Sequence, residues 1–148
     1  MLEPGDSAPE ITAQTQDGES VTLSFADPAV VYFYPKDFTG GCTTEASEFQ
    51  ATLPEFRELG VAVYGVSTDD VETHADFADS EGLLFDLLAD PDGEVASAFG
   101  VSTDGGTADR VTFLLADGEV RERYDAVDPD GHARAVLEDA RSEFVVGG

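Results

Sequence analysis

Three runs of the chain are continuously apolar and rich in β-branched or aromatic residues: 29–35 (AVVYFYP), 61–67 (VAVYGVS) and 110–116 (RVTFLLA). Continuity rather than alternation predicts central strands covered on both faces. Residues 20–25 (SVTLSF) alternate instead, and read as an outer strand entered through a turn at Asp17-Gly18. A strand over 120–124 follows Asp117-Gly118, a strong hairpin signal. Residues 83–90 read as a short extended stretch that ends in the turn Asp90-Pro91-Asp92-Gly93.

Helical periodicity fills the gaps. From Cys42, apolar residues recur at Ala46, Phe49 and Leu53, which form one face of a helix. Pro54 is expected to interrupt or kink it, Thr52 and Glu55 to form a capping box that restarts it, and Gly60 to end it. A second helix is expected over 70–80, capped by Asp69-Asp70, with Val71, Ala75 and Ala78 on one face. A short helix follows around 93–100. The last, from about Pro129 to Phe144, buries Ala133, Val136, Leu137, Ala140 and Phe144 and pairs Arg134 with Glu138 outside. Strands and helices alternate at first and a hairpin comes late. That order predicts a single α/β domain over 1–148, a thioredoxin-like three-layer sandwich with a mixed central sheet flanked by helices.

Composition changes the picture at the surface. Hydrophobic residues make up 41% of 148, enough for a packed core without staples. Asp and Glu number 32 against one lysine, Lys36, and six arginines, for a formal net charge of −25. Nucleic acid and anionic membrane are therefore excluded as partners, since both need basic patches. The carboxylates run from Glu3 to Glu143 rather than clustering, so the balance fits adaptation to molar salt better than docking of one basic partner. The single cysteine excludes an internal disulfide and a multi-thiolate metal centre, and with only His74 and His132 beside it no metal or other cofactor is expected. The first residues lack the basic and apolar regions of a signal peptide, and no apolar run approaches the roughly 20 residues of a membrane span. A soluble, cytoplasmic protein is expected.

The chemistry concentrates at residues 34–45, YPKDFTGGCTTE. Cys42 lies where the strand ending at Tyr34-Pro35 passes into a helix, and Thr39, Gly40 and Gly41 are suited to capping and turning. The thiol should then sit in the first helical turn, where unpaired N–H groups and the positive end of the dipole favour an anion. Gly40 and Gly41 allow close approach of a ligand to the backbone. Cys42 also opens the apolar stripe Ala46–Phe49–Leu53, as a plain core residue would. Position alone leaves an activated nucleophile and a buried packing residue both open.

Pro35, Thr39 and Cys42 form P-x-x-x-T-x-x-C, which resembles the active-site signature of the peroxiredoxins. The whole stretch 32–49 is similar to the bacterioferritin-comigratory, or Q-type, branch. So are 5–12 (GDSAPEIT), 65–101 and 110–120 (RVTFLLADGEV), in matching order over almost the whole chain. The resemblance implies reduction of hydrogen peroxide or organic hydroperoxides. Cys42 would be the peroxidatic cysteine and form a sulfenic acid. Thr39 would hydrogen-bond peroxide and thiolate, Arg110 would hold the thiolate and polarise the peroxide, and Pro35 would shield the site. Glu45 resembles the acidic residue that orients the arginine, and backbone N–H groups near Gly41 would help to bind substrate.

Two departures from the branch matter. Many members carry a resolving cysteine five residues after the first, where this chain has Ser47, so the sulfenate must be reduced by an external thiol, from a thioredoxin-like protein or a small molecule. Gly40 stands where many relatives have proline. A monomer or weak homodimer is expected. A thiol transferase is the first rival reading, but CTTE lacks the second cysteine of C-x-x-C and no proline precedes RVTFLL. A redox-sensing module without turnover is the second. His74 is expected to pack or hydrogen-bond, His132 to be a solvated helix residue, and Lys36 to be an exposed strand-end lysine.

Overall fold

The computed structural model describes residues 1–125 and 127–144. Its sheet has seven strands in the order β2-β1-β5-β4-β3-β6-β7. The three apolar runs form its centre as β3 (Ala29–Phe33), β4 (Ala62–Ser67) and β6 (Val111–Ala116), with β3 and β6 buried along their whole length. β3 runs parallel to β4 and antiparallel to β6, and β4 runs parallel to β5 (Asp86–Ala89). β7 (Glu119–Tyr124) returns from β6 through Asp117-Gly118, both at positive φ, as the two-residue hairpin turn requires. β2 (Ser20–Leu23) pairs with a strand not foreseen, β1 (Ile11–Gln14), which joins the sheet by a single register point, Gln14 opposite Ala89.

The pleat divides the core. Val30, Tyr32 and Tyr34 face one side with Leu87 and Leu114, and pack with α1 (Gly40–Glu58), α2 (Val71–Glu81) and α4 (His132–Glu143). Ala29, Val31 and Phe33 face the other with Phe113 and Leu115, and pack with α3 (Glu94–Phe99). This is a mixed sheet between helical layers, as the element order implies. Each fully buried aromatic contributes roughly 1.5–3 kcal/mol. Phe49, Phe56, Phe77 and Phe99 supply that burial from the helices.

Several local expectations are corrected. α1 is continuous through Pro54, whose ring lies on the exposed side, while Leu53 and Phe56 are buried on either side of it and hold the helix together. Thr52 caps nothing; its hydroxyl donates back to the carbonyl oxygens of Glu48 and Phe49. The buried face of α2 is His74, Phe77 and Ala78, with Val71 and Ala75 only half-buried. Asp70 alone caps it, accepting from the Thr73 amide at 2.8 Å, while Asp69 points elsewhere. α4 starts at His132, and Arg134 pairs with Glu55 of α1 while Glu138 pairs with Arg141. His132 is buried rather than solvated. Its Nε2 lies 2.8 Å from the Thr112 hydroxyl, and burial with the nearby Arg110 charge lowers its pKa to about 4.

Candidate active site

The site forms where three elements end together. β3 delivers residues 34–39 to the start of α1, and its antiparallel register with β6, Phe33 opposite Val111, brings Arg110 to the same edge. Thr39 takes the N-cap position with extended backbone, and its carbonyl accepts from the Thr43 amide. Its hydroxyl does not cap the helix but donates to the Lys36 carbonyl at 3.0 Å. Among the described residues no acceptor takes the amides of Gly40, Gly41 or Cys42, so the positive end of α1 stays open.

Cys42 sits in that first turn and is only 1% exposed. Arg110 Nη2 donates to its sulfur at 3.4 Å, and Nη1 reaches the Glu45 carboxylate at 2.7 Å. Glu45 is three residues along α1 from Cys42, so the helix stacks both on the face that Arg110 covers. A Cβ on Gly41 would lie 3.1 Å from Arg110 Nη2 and 3.4 Å from Pro129, whereas one on Gly40 would meet nothing. Gly41 is thus the floor on which the guanidinium rests.

Electrostatics separate the partners. Burial works against the Arg110 charge, but its bond to Cys42 and the charge of Glu45 outweigh that and hold its pKa above the ordinary value. For Glu45 the opposite holds: complete burial outweighs the attraction of Arg110 and lifts its pKa to about 7. Its second oxygen, Oε2, is buried with no hydrogen-bond partner among the described residues. Pro35 is half-buried at the start of the loop, Lys36 is exposed, and Ser47 is exposed on α1. A surface groove of about 470 Å³ lined by Phe25, Pro28, Ala29 and Tyr64 contains none of these groups.

The model of the AhpC/TSA family matches residues 4–146. The chain belongs to that family. Peroxiredoxin Bcp of Escherichia coli K12 is 40% identical over 146 residues, which cover 92% of this chain and 94% of that protein. The structure of peroxidoxin BcpB from Mycobacterium tuberculosis is similar at a TM-score of 0.89 and 33% identity, over 96% of this chain and 98% of that one. The bacterioferritin comigratory protein of Xanthomonas campestris, whose structures address alkyl peroxide reduction, superposes at 0.86 with 35% identity over 97% and 98% of the two chains. Within the described residues of this family member no helix is long and apolar enough to cross a membrane.

Cys42 and Glu45 are therefore linked through the Arg110 guanidinium with Gly41 beneath it, while Thr39 caps the same helix with its hydroxyl on the Lys36 carbonyl. Sequence reasoning missed the polar cluster behind them. Asp37 is buried, its carboxylate bonded to Tyr34 and His74, and its amide donates to Asp69. The spacing of Asp37 and His74, far apart in the chain, gave no signal of contact.

Proposed function

We propose that this peroxiredoxin reduces hydrogen peroxide or small organic hydroperoxides at Cys42 and is returned to the thiol by an external reductant. The observation that carries the reading is a buried thiol in the open first turn of a helix, with a charged guanidinium 3.4 Å away. Both features favour an anionic sulfur. The sulfur takes the terminal peroxide oxygen as the O–O bond breaks, and the other oxygen leaves with the peroxide proton as water or an alcohol. Arg110 and the free amides near Gly41 stabilise the charge that develops on the leaving oxygen. The Thr39 hydroxyl, its proton committed to Lys36, offers lone pairs to the peroxide O–H and so aligns the attacked oxygen. Glu45 orients Arg110 rather than meeting substrate, and Pro35 limits access of bulk water.

An incoming thiol then attacks the sulfenic sulfur, releasing water and leaving a mixed disulfide that a second thiol reduces. With Ser47 in place of a resolving cysteine, both electrons come from outside the chain. A thioredoxin-like protein or a small thiol supplies them, in the reducing cytoplasm. The acidic surface suits a protein that works as one domain at high salt.

The test is stopped-flow oxidation of Cys42 by peroxide, with steady-state turnover in an added thiol. Cys42→Ser should abolish both. Arg110→Ala should slow oxidation by about 10²–10³ while keeping the fold, the usual cost of one such donor. Full activity in Arg110→Ala, or a wild-type Cys42 no faster than free cysteine, would refute the assignment.

A further inference from the structure

The polar cluster behind the catalytic loop can be resolved proton by proton. The Leu88 carbonyl can only accept, so His74 Nε2 carries a hydrogen and donates to it at 3.0 Å. One proton then lies between His74 Nδ1 and Asp37 Oδ2, 2.6 Å apart, while Asp37 Oδ1 accepts from the Tyr34 hydroxyl at 2.6 Å. Tyr34, Asp37 and His74 are all essentially removed from solvent. Asp37, Asp69 and His74 bring ligand atoms within 4.8 Å of one another, the spacing of a metal site. Both imidazole nitrogens are already engaged, however, so neither is free to ligate.

What the cluster does hold is a single peptide unit of the catalytic loop. The N–H of the Lys36–Asp37 peptide donates to Asp69 Oδ2 at 2.8 Å, and Asp69 is fixed in turn by the Ser67 hydroxyl at 2.6 Å. The C=O of the same peptide accepts the Thr39 hydroxyl. The next residue, Phe38, adopts φ +66, a left-handed conformation that a non-glycine residue rarely takes. Its ring packs edge-on against Phe77, at 5.2 Å between centroids. His74 and Phe77 are neighbours on the buried face of α2, so that helix grips the loop at two consecutive residues.

We propose that Asp37 and His74 are positioning residues for peroxide reduction: with Tyr34 and Asp69 they lock the Lys36–Asp37 peptide, and its carbonyl aims the Thr39 hydroxyl. This rests on the reading of Cys42 and Thr39 given above. The brace acts on the geometry of substrate alignment, not on the sulfur itself, and that distinction is measurable. Oxidation by peroxide requires the aligned hydroxyl, whereas alkylation by iodoacetamide requires only an accessible thiolate. A displacement of about 1 Å in an aligning group costs on the order of 10²-fold in rate. Asparagine at 37 can reproduce every bond, accepting from Tyr34 through oxygen and donating to a neutral His74 through nitrogen.

The experiment compares peroxide oxidation with iodoacetamide alkylation of Cys42 in the full-length wild type and in Asp37→Ala, His74→Phe, Tyr34→Phe and Asp37→Asn. Asp37→Ala and His74→Phe should lower the oxidation rate by about 10- to 100-fold, and Tyr34→Phe by less, with alkylation unchanged. Asp37→Asn should oxidise at close to the wild-type rate. Should the first two variants not fold, Tyr34→Phe and Asp37→Asn carry the comparison. The proposal is overturned by unchanged oxidation in the bond-deleting variants, by oxidation and alkylation falling in step, or by Asp37→Asn being slower than Tyr34→Phe. A wild type that oxidises slowly removes the peroxidase reading as well, whereas a fast wild type with equally fast variants removes this one alone.

Discussion

At the scale of single residues, the Gly40-Gly41 pair ahead of the thiol divides into two roles. Both look equally permissive in the sequence, as places where a ligand nears the backbone. In the fold, the space above Gly41 belongs to the Arg110 guanidinium, and neither glycine needs positive φ. An added methyl at 41 must therefore push the guanidinium from the sulfur, while one at 40 enters open space. Gly40→Ala is expected to stabilise the protein by about 0.4–1 kcal/mol through a less flexible unfolded chain, with peroxide oxidation unchanged. Gly41→Ala should keep its melting temperature but lose about tenfold or more in oxidation rate, as Arg110 is displaced. Calorimetry and stopped-flow on the two variants decide it. Equal rates in both would mean that Arg110 does not depend on that floor.

At the scale of elements, the Arg110–Glu45 pair ties β6 to α1 inside the core, and its cost should be visible in the pH dependence of stability. Burial lifts the Glu45 carboxyl to a pKa of about 7 in the fold, against an ordinary value of 4.5. The folded state thus holds a proton more tightly than the unfolded chain, so its contribution is present below pH 4.5, is lost as pH rises toward 7, and is flat above. The loss is on the order of 3 kcal/mol. The chain carries 31 other Asp and Glu residues, so the measure is a difference: urea unfolding of wild type minus Glu45→Gln. That difference should fall between pH 5 and pH 8; a constant or rising difference would show Glu45 ionised throughout. Glu45 and Arg110 were legible because each stands in a motif. The three central strands, the hairpin and the helix after Cys42 were legible because long apolar runs and turn dipeptides state their own period. Other features were not. β1 has only Ile11 and the small Ala13 on its buried face, so no apolar pattern marks it, whereas β2, of equal length, alternates Val21, Leu23 and the following Phe25. The buried face of α2 was misplaced because His74 counts as polar in any periodicity, and only its distant partners, Asp37 and the Leu88 carbonyl, offset its burial. Pro54 was read by its local rule, which tertiary packing of Leu53 and Phe56 overrides.

At the scale of the molecule, the question is what 32 Asp and Glu residues do to a fold that uses three of them, Glu45, Asp37 and Asp69, in and behind its site. Five of the six arginines are already paired with carboxylates: Arg110 with Glu45, Arg121 with Asp117 and Glu143, Arg123 with Glu3 and Asp125, and Arg134 and Arg141 with Glu55. The surplus is left to repel itself across a body about 15 Å in radius of gyration. At 0.01 M salt the Debye length is about 30 Å, so every surface charge feels every other; at 1 M it is about 3 Å and only neighbours interact. Screening therefore favours the compact state, where the charges are closest together. Several kcal/mol of relieved repulsion corresponds to a melting temperature higher by roughly 10 °C at this chain length. Calorimetry from 0.01 to 1 M salt should show that rise, equal in KCl and NaCl at matched ionic strength and levelling off near 1 M. Stability that is constant or falls with salt would contradict adaptation to high salt. A rise confined to one cation would point to bound ions rather than screening. Hydrogen peroxide is uncharged, so its reaction with Cys42 should change little over the range in which the fold is stable, which separates the demands of the surface from those of the site.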